Sequence, residues 1–232
     1  LETGPGHGGL FPGPDPQPLG TSLGAPPVTA PRFDLQDTGL AGLRVVRRRV
    51  LEDPRGSFAR LFCADTFREW GFGVPVSQIN LTRTREAGTI RGLHFQHPPH
   101  SEIKVVTCLK GRIFDVAVDL RQGSPTFLQW RGVTLSEADP ASLLIPAGFA
   151  HGNLFLKPTA IEYLCTGEHS PGCEAGISPL SSDLDWSLAD PALKAVFEKS
   201  IASPQLLISD KDRAALNLKD WKTDARSSNF IY

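Results

Sequence analysis

Short apolar runs separated by turn residues make up most of the chain between residues 33 and 165. Gly, Pro, Asp and Asn mark the turns, and no helix of ten or more residues, as a parallel α/β fold requires, is predicted between the runs. Such spacing is typical of an antiparallel sandwich or barrel. The predicted strands are 43–51, 58–63, 74–81, 90–96, 103–109, 112–120, 127–135, 142–146 and 160–165.

Helical signals are few and lie mainly towards the C-terminus. Residues 64–70 fit one or two helical turns, which Gly71 stops. Asp190 is an N-cap residue, and Pro191 then opens a helix that extends to about Lys199. The sequence therefore predicts an all-β domain with a few short helices. One face of the late helix carries Leu193, Val196 and Phe197.

The two ends of the chain differ from its middle. Fifteen of the first 31 residues are Gly or Pro, and they show no apolar periodicity. Such a segment buries too little surface to offset its chain entropy. We predict that 1–32 is a disordered tail or an expression remnant, and that 33–232 is a single domain. The last twenty residues are polar and predict no element.

The composition excludes several classes of partner. A chain of 232 residues is long enough for one domain with a core, and its hydrophobic content of 40% is ordinary. The net charge of −1 gives no basic bias towards nucleic acid or an anionic membrane. No apolar run approaches the ~20 residues that span a bilayer, and no signal-peptide pattern opens the chain. We expect a cytoplasmic protein.

The four cysteines show no Cys-x-x-Cys spacing. Three of them lie inside apolar runs, where a reduced thiol behaves as a small hydrophobic group. Free thiols are favoured, and disulfides or a zinc site are the alternatives. The cysteines are Cys63, Cys108, Cys165 and Cys173.

Strand alternation indicates which polar side chains meet. If the shared faces of their strands line the barrel, His94, Lys104 and Tyr163 point into one cavity. A histidine is the usual general base near neutral pH, a tyrosine can return a proton, and a lysine stabilises charge on an oxygen. Each residue alone has an ordinary structural explanation. Together they suit removal of a proton next to a ketone and its return from the opposite face.

A metal site is the competing interpretation. Small cupin barrels often bind a divalent metal through His-x-His, a glutamate and a later Pro-x-Gly-x-x-His. The later element is present and ends at His151, and His100 and Glu102 are also near. However, the chain has His94-x-x-His97, and residues three apart on a strand face opposite ways. We therefore expect no metal and no other cofactor.

Longer blocks then occur in a fixed order. They include Asp53-Pro-Arg-Gly56, Arg91-Gly-Leu-His-Phe-Gln96, Phe114-Asp-Val-Ala-Val-Asp-Leu-Arg121 and Ser209-x-Lys-Asp212. From about residue 43 to 213 the chain resembles the dTDP-4-dehydrorhamnose 3,5-epimerases, a metal-free branch of the cupins. The resemblance implies a cupin-type β-barrel or jelly roll. It also implies an isomerase that inverts C3 and C5 of a nucleotide-linked 4-keto-6-deoxyhexose, converting dTDP-4-dehydro-6-deoxy-D-glucose to dTDP-4-dehydro-L-rhamnose.

The same resemblance implies roles for individual residues. His94 would be the general base, Asp212 would orient it, Tyr163 would donate a proton on the opposite face, and Lys104 would steady the enolate. The family's proteins are dimers in which the N-terminal strand crosses to the partner and helps complete the nucleotide site. The remaining positions implied in substrate binding are Arg55, Arg60, Gln78, Asn80, Arg91, His151, His169, Glu174 and Lys211.

The chain departs from the family pattern where the nucleobase is bound. Arg60 stands where an acidic residue is usual, His169 replaces a stacking tyrosine, and Asn153 replaces a phenylalanine. The chemistry is therefore predicted more firmly than the nucleotide. A mono-epimerase acting at C3 or C5 only, and a non-catalytic sugar-nucleotide-binding cupin, remain as alternatives.

Overall fold

The computed structural model describes residues 31–181, 184 and 191–232. Most of the predicted tail and the predicted N-cap Asp190 lie outside these residues. Pro31–Tyr232 forms one compact unit. Its strands are β1 Phe33–Asp37, β2 Arg44–Arg48, β3 Val50–Asp53, β4 Gly56–Ala59, β5 Gln78–Thr84, β6 Ile90–Gln96, β7 Lys104–Lys110, β8 Arg112–Asp119, β9 Trp130–Ser136, β10 Ala141–Ile145, β11 Phe149–Phe155, β12 Thr159–Cys165 and β13 Glu174–Gly176.

Two antiparallel sheets form the body of the domain. One has six strands in the order β1-β2-β10-β7-β12-β5, and the other has five in the order β13-β6-β11-β8-β9. Strands β3 and β4 form a separate hairpin. This mostly β, jelly-roll arrangement confirms the predicted fold class.

The helices are short. They are α1 Ala64–Glu69, α2 Pro191–Ile201, α3 Asp210–Arg213 and α4 Leu218–Thr223, and a 3₁₀ turn covers Ala225–Asn229. No helix among the described residues combines the length and the apolar character needed to cross a membrane.

The inner faces of the two sheets share a core. Alternate residues along a strand of these two sheets point inwards, and the residues between them face outwards. Some inward positions of β6, β7, β11 and β12 carry titratable or amide side chains instead of apolar ones. The buried apolar members include Val106, Ile113, Ala117, Leu143, Phe155 and Ile161.

Both outer faces are covered in part. An aromatic cluster around Phe67 and Phe72 packs on the six-stranded sheet. The C-terminal part of the chain packs Phe197, Trp221 and Phe230 against the five-stranded sheet. Complete burial of such a side chain contributes about 1.5–3 kcal/mol. The C-terminal segment, which the sequence pattern left unassigned, is therefore a structural layer behind β6.

Most predicted strands agree with the structure to within one residue. This holds for 90–96, 103–109, 112–120, 142–146 and 160–165. The prediction for 43–51 joined two strands into one, because β2 ends at Arg48 and the β3–β4 hairpin begins at Val50. The prediction for 127–135 began too early, because Leu128 has a φ of 63° and cannot continue a strand.

The other differences have local causes. Strand β5 begins at Gln78 rather than Val74, since Pro75 lacks the N–H that a sheet ladder needs. Helix α2 extends to Ile201, with Leu193 and Phe197 buried but Val196 39% exposed. Strands β1, β11 and β13 were not predicted.

Candidate active site

A cavity of about 580 Å³ opens between the inner faces of the two sheets. The six-stranded sheet contributes Thr82, Lys104 and Tyr163 to its wall. A C-terminal segment, residues 206–212, closes one side. The five-stranded sheet contributes Arg91, His94, His151, Gly152 and Asn153.

His94 and Asp212 form a dyad in this cavity. The imidazole projects inwards from β6, and its Nε2 lies 2.6 Å from Asp212 Oδ1. The carboxylate is only 5% exposed, whereas the imidazole is 35% exposed. Asp212 lies in α3, whose N-cap Ser209 accepts a hydrogen bond from the Asp212 N–H at 3.1 Å. The cap therefore fixes the backbone that carries the carboxylate.

Hydrogen bonds keep the Asp212 carboxyl ionised. Burial by itself raises its pKa, but the hydrogen bonds from His94 and from the Gly92 N–H, which is 3.0 Å from Oδ2, outweigh burial and lower the pKa. An ionised carboxylate can only accept, so the proton of the dyad lies on His94 Nε2. In the neutral imidazole the lone pair is then on the other ring nitrogen, Nδ1.

Two glycines make this geometry possible. A Cβ on Gly92 would lie 2.6 Å from the His151 carbonyl oxygen, and a Cβ on Gly152 would lie 2.5 Å from the Arg91 carbonyl oxygen. The pairing of β6 with β11 shifts register between His151 and Asn153. At this irregularity the Gly92 N–H turns away from the ladder and reaches Asp212.

Lys104 faces the dyad from the six-stranded sheet. Its Nζ lies 3.0 Å from Glu102 Oε1, and the two side chains are only 17% and 10% exposed. The pair places a cation in the wall of the cavity with its counter-ion held beside it. Arg91 and Lys211 bring two further cationic groups to the same cavity.

Tyr163 is joined to a buried carboxylate. Its hydroxyl donates to Asn153 Oδ1 at 3.0 Å, and Asn153 Nδ2 donates to Asp115 Oδ1. His151 Nε2 contacts the same carboxylate oxygen. Burial raises the pKa of the phenol, and the charge of Asp115 raises it further. Tyr163 is therefore a protonated group at ordinary pH.

The predicted site residues divide into two groups. The cavity wall brings together His94, Lys104, Tyr163, Asp212, Arg91, His151 and Lys211. Glu174 lies next to this wall, because its Oε2 is 2.5 Å from Lys211 Nζ and 3.9 Å from His169 Nε2.

The remaining predicted residues do not line the cavity. Asn80 and Gln78 lie on β5 opposite Tyr163 and Cys165. Arg55 is exposed at the turn of the β3–β4 hairpin, where it pairs with Asp53. Arg60 is exposed just after β4. Their roles in substrate binding stay predictions.

Sequence reasoning missed several members of the site. Asp115 is fully buried and contacts His151 and Asn153, although the sequence indicates it only as part of a longer motif. Its signal was a charged residue inside the apolar run 113–118. The apolar wall at 206–208 had no signal within its own segment, because its partners, such as Ile90, whose N–H donates to the Leu207 carbonyl oxygen, belong to other parts of the chain.

The histidines of the metal interpretation are separated. His94 points into the cavity, whereas the His97 ring contacts Phe95 and Phe230 on the outer side, at centroid distances of 5.3 Å each. Within the described part of the chain, no group of three or more His, Cys, Asp or Glu side chains is arranged to hold a metal ion.

Comparison with known proteins identifies the family. The sequence model for dTDP-4-dehydrorhamnose 3,5-epimerase matches residues 37–220. The chain belongs to this family. It is accordingly an isomerase of the carbohydrate-epimerase type, as the resemblance implied.

Individual relatives support this assignment. The dTDP-4-dehydrorhamnose 3,5-epimerase of Sinorhizobium fredii is 37% identical over 79% of this chain and 88% of its own. The dTDP-4-dehydrorhamnose 3-epimerase of Streptomyces niveus is 35% identical, with coverage of 68% and 78%. A crystal structure of the Legionella pneumophila 3,5-epimerase in complex with dTDP-4-keto-L-rhamnose superposes with a TM-score of 0.73. It is 34% identical and covers 86% of this chain and 98% of its own.

Proposed function

We propose that the protein inverts C3 and C5 of dTDP-4-dehydro-6-deoxy-D-glucose and so forms dTDP-4-dehydro-L-rhamnose. One observation carries the proposal. His94, which pairs with Asp212 of α3, and the phenol of Tyr163 lie on facing sheets and line one cavity, with the Lys104 ammonium in the same wall. A sugar ring between the sheets would meet a base on one face and an acid on the other.

The chemistry needs only these groups. A ketone at C4 acidifies the protons at C3 and C5, because the electron pair of the carbanion delocalises onto O4. His94 Nδ1 removes the proton, Asp212 stabilises the imidazolium, and Lys104 stabilises the enolate oxygen. Tyr163 then protonates the carbon from the opposite face. One base and one acid serve both carbons in turn.

Cationic and polar groups near the mouth suit a nucleoside diphosphate. Arg91 and Lys211 lie in the cavity wall, and arginine binds phosphate through its planar fork. His169 is 57% exposed and next to Glu174, so its ring is accessible for stacking on a base. Arg55 and Arg60 would add further charge. The Legionella relative, whose structure holds dTDP-4-keto-L-rhamnose, supports a nucleotide-sugar substrate.

Hydrogen exchange in D₂O tests the activity directly. The purified protein should introduce deuterium at C3 and C5 of dTDP-4-keto-6-deoxyglucose, as NMR or mass spectrometry detects. His94→Asn should abolish exchange at both carbons. Tyr163→Phe should leave some exchange but little inverted product. No label at either carbon with the wild-type protein, or normal turnover of the His94→Asn variant, would contradict the proposal.

The same experiment separates the other candidates. The Streptomyces niveus relative is named a 3-epimerase, and label at C3 alone would give this chain the same activity. Tight binding without any exchange would indicate a non-catalytic sugar-nucleotide-binding protein. Activity that is lost in EDTA and restored by a divalent metal would indicate a metal-dependent enzyme.

We also propose that the protein forms a homodimer through the outer face of the six-stranded sheet. Ile79, Leu81 and Leu109 lie on this face and are 66%, 50% and 43% exposed. Large apolar groups gathered on one sheet face mark an interaction surface. Leu81→Asp should give a monomer in light-scattering measurements, whereas the control Ile231→Asp should not. A dimeric Leu81→Asp protein would count against this face.

Two further expectations remain proposals. Strand β1 pairs with β2 of the same chain at the sheet edge, and its passage to a partner is still a prediction. A cytoplasmic location is supported by the four unpaired cysteines, of which Cys108 and Cys165 are buried. Protein isolated with thiols blocked should show four free thiols, and a disulfide would oppose this location.

A further inference from the structure

Asn153 connects the phenol of Tyr163 to a buried carboxylate. Its side chain projects into the cavity from β11, and the residue is only 4% exposed. Asn153 Oδ1 accepts from the Tyr163 hydroxyl, and Asn153 Nδ2 donates to Asp115 Oδ1. His151 Nε2 donates to the same oxygen.

Only one orientation of the Asn153 amide satisfies these contacts. An ionised carboxylate only accepts, so the amide must turn its NH₂ group towards Asp115 and its oxygen towards Tyr163. The amide oxygen cannot donate, so the phenol must supply the hydrogen. Asp115 is fully buried, and its Oδ2 has no hydrogen-bond partner among the described residues. Reversing the amide would set two oxygens against each other and leave the carboxylate with a single donor.

We propose that Asn153 is a positioning residue that keeps Tyr163 protonated and aims its hydroxyl, so that the phenol serves as the acid of the reaction. This inference rests on the proposed function. In that step the phenol O–H bond breaks, and the proton forms a C–H bond with the electron pair of the enolate. The phenolate regains a proton from solvent, and the His94 imidazolium releases one to solvent.

The surroundings of the phenol act in the same direction. Burial raises the pKa of Tyr163, and the charge of Asp115 raises it further. An acceptor at Asn153 Oδ1 stabilises the neutral phenol and adds to this effect. In Asn153→Ala the acceptor is removed and water can enter the space, so the phenol should ionise at lower pH.

Tyrosine ionisation tests the inference without substrate. The chain has two tyrosines, and Tyr232 is 63% exposed at the C-terminus. In a Tyr232→Phe background, ultraviolet absorbance of tyrosinate therefore reports on Tyr163 alone. We expect ionisation of this single-tyrosine protein only when it unfolds in alkali. Adding Asn153→Ala should shift ionisation at least about one pH unit lower, while circular dichroism shows a folded chain.

Two further variants complete this measurement. If Asn153→Ala does not fold, Asn153→Ser is measured instead, and its tyrosine ionisation should likewise shift at least about one pH unit lower. Thr107→Ala is the control, because it removes a buried hydroxyl that bonds to Ser142 on the outer face of the sheet. Ionisation of Tyr163 in a folded Asn153 variant at the same pH as in the control would overturn the inference.

Isotope exchange supplies the second readout. In D₂O, Asn153→Ala should exchange C3 and C5 within about threefold of wild type but form inverted product about tenfold more slowly. Equal losses in both rates, or a loss in neither, would overturn the role. If the wild-type protein exchanges neither carbon, the proposed function fails, and the tyrosine titration still decides whether Asn153 controls the phenol.

Discussion

The substitution Asp212→Asn tests the dyad most sharply, because it changes one charge and almost no volume. In the wild type, Asp212 Oδ2 accepts from the Gly92 N–H and Oδ1 accepts from His94 Nε2. An asparagine must keep its oxygen on the Gly92 N–H, so its NH₂ group faces His94. The imidazole then carries its proton on Nδ1, and the nitrogen proposed to act as the base is blocked.

Two losses combine in this variant. A hydrogen bond to a charged group is worth about 1.5–3 kcal/mol, and this one stabilises the imidazolium that forms during proton removal. Returning the imidazole to the tautomer with a free Nδ1 breaks the hydrogen bond between the asparagine NH₂ group and His94, at a cost of about 1–3 kcal/mol. Together these predict a fall in kcat/KM of roughly 10²–10⁴-fold.

The assay measures exchange at C3 and C5, with dTDP affinity and the urea midpoint as checks on binding and folding. Asp210→Asn is the matched control, because this exposed carboxylate lies two residues away in α3. Affinity should remain unchanged in both variants. If Asp212→Asn retains kcat/KM within about tenfold of wild type, the carboxylate does not set the tautomer and the reasoning above is refuted.

Three other predictions concern stability and charge. Burial, and then the charge of Arg226, lowers the pKa of His97, so the folded protein is most stable above the unfolded imidazole pKa of about 6.5 and loses stability as pH falls below it. His97→Phe should therefore reduce the drop in urea midpoint between neutral and acidic pH. An unchanged drop would contradict this prediction. Gly152→Ala should cost about 1–3 kcal/mol and reduce exchange, because its Cβ would press on β6; a wild-type urea midpoint would show that β6 adjusts freely. Lys104→Met should lower both activity and stability, because it leaves Glu102 buried without its cation. Adding Glu102→Gln should restore stability but not activity. Recovery of activity in the double variant would show that the reaction does not need Lys104.

Sequence patterns predicted strands that keep apolar residues at alternate positions, including two strands that also carry site residues. Residues 90–96 and 160–165 alternate cleanly, since their outward and inward positions are both committed to packing or to the site. Strand β11 was missed as a strand because His151, Gly152 and Asn153 interrupt its apolar pattern. Those same residues line the cavity. The alternation rule therefore failed at β11, where three consecutive cavity residues interrupt the apolar pattern.

Contacts that are distant in sequence account for the other omissions. Trp221 and Phe230 are scattered in a polar segment, yet both are buried against β6. Nothing within that segment shows that a sheet lies beneath it. Asp212 was placed beside His94 through the resemblance alone, since no spacing rule relates two residues 118 positions apart.

The separation of 118 positions between His94 and Asp212 has a consequence during translation. A ribosome releases β6 long before it reaches α3, so a nascent polypeptide can complete both sheets while its imidazole still lacks a carboxylate partner. A nascent chain that stops before residue 212 would lack the carboxylate that contacts His94. Nascent chains that end before α3 should therefore be inert, because the proposed base would lack the carboxylate that orients it.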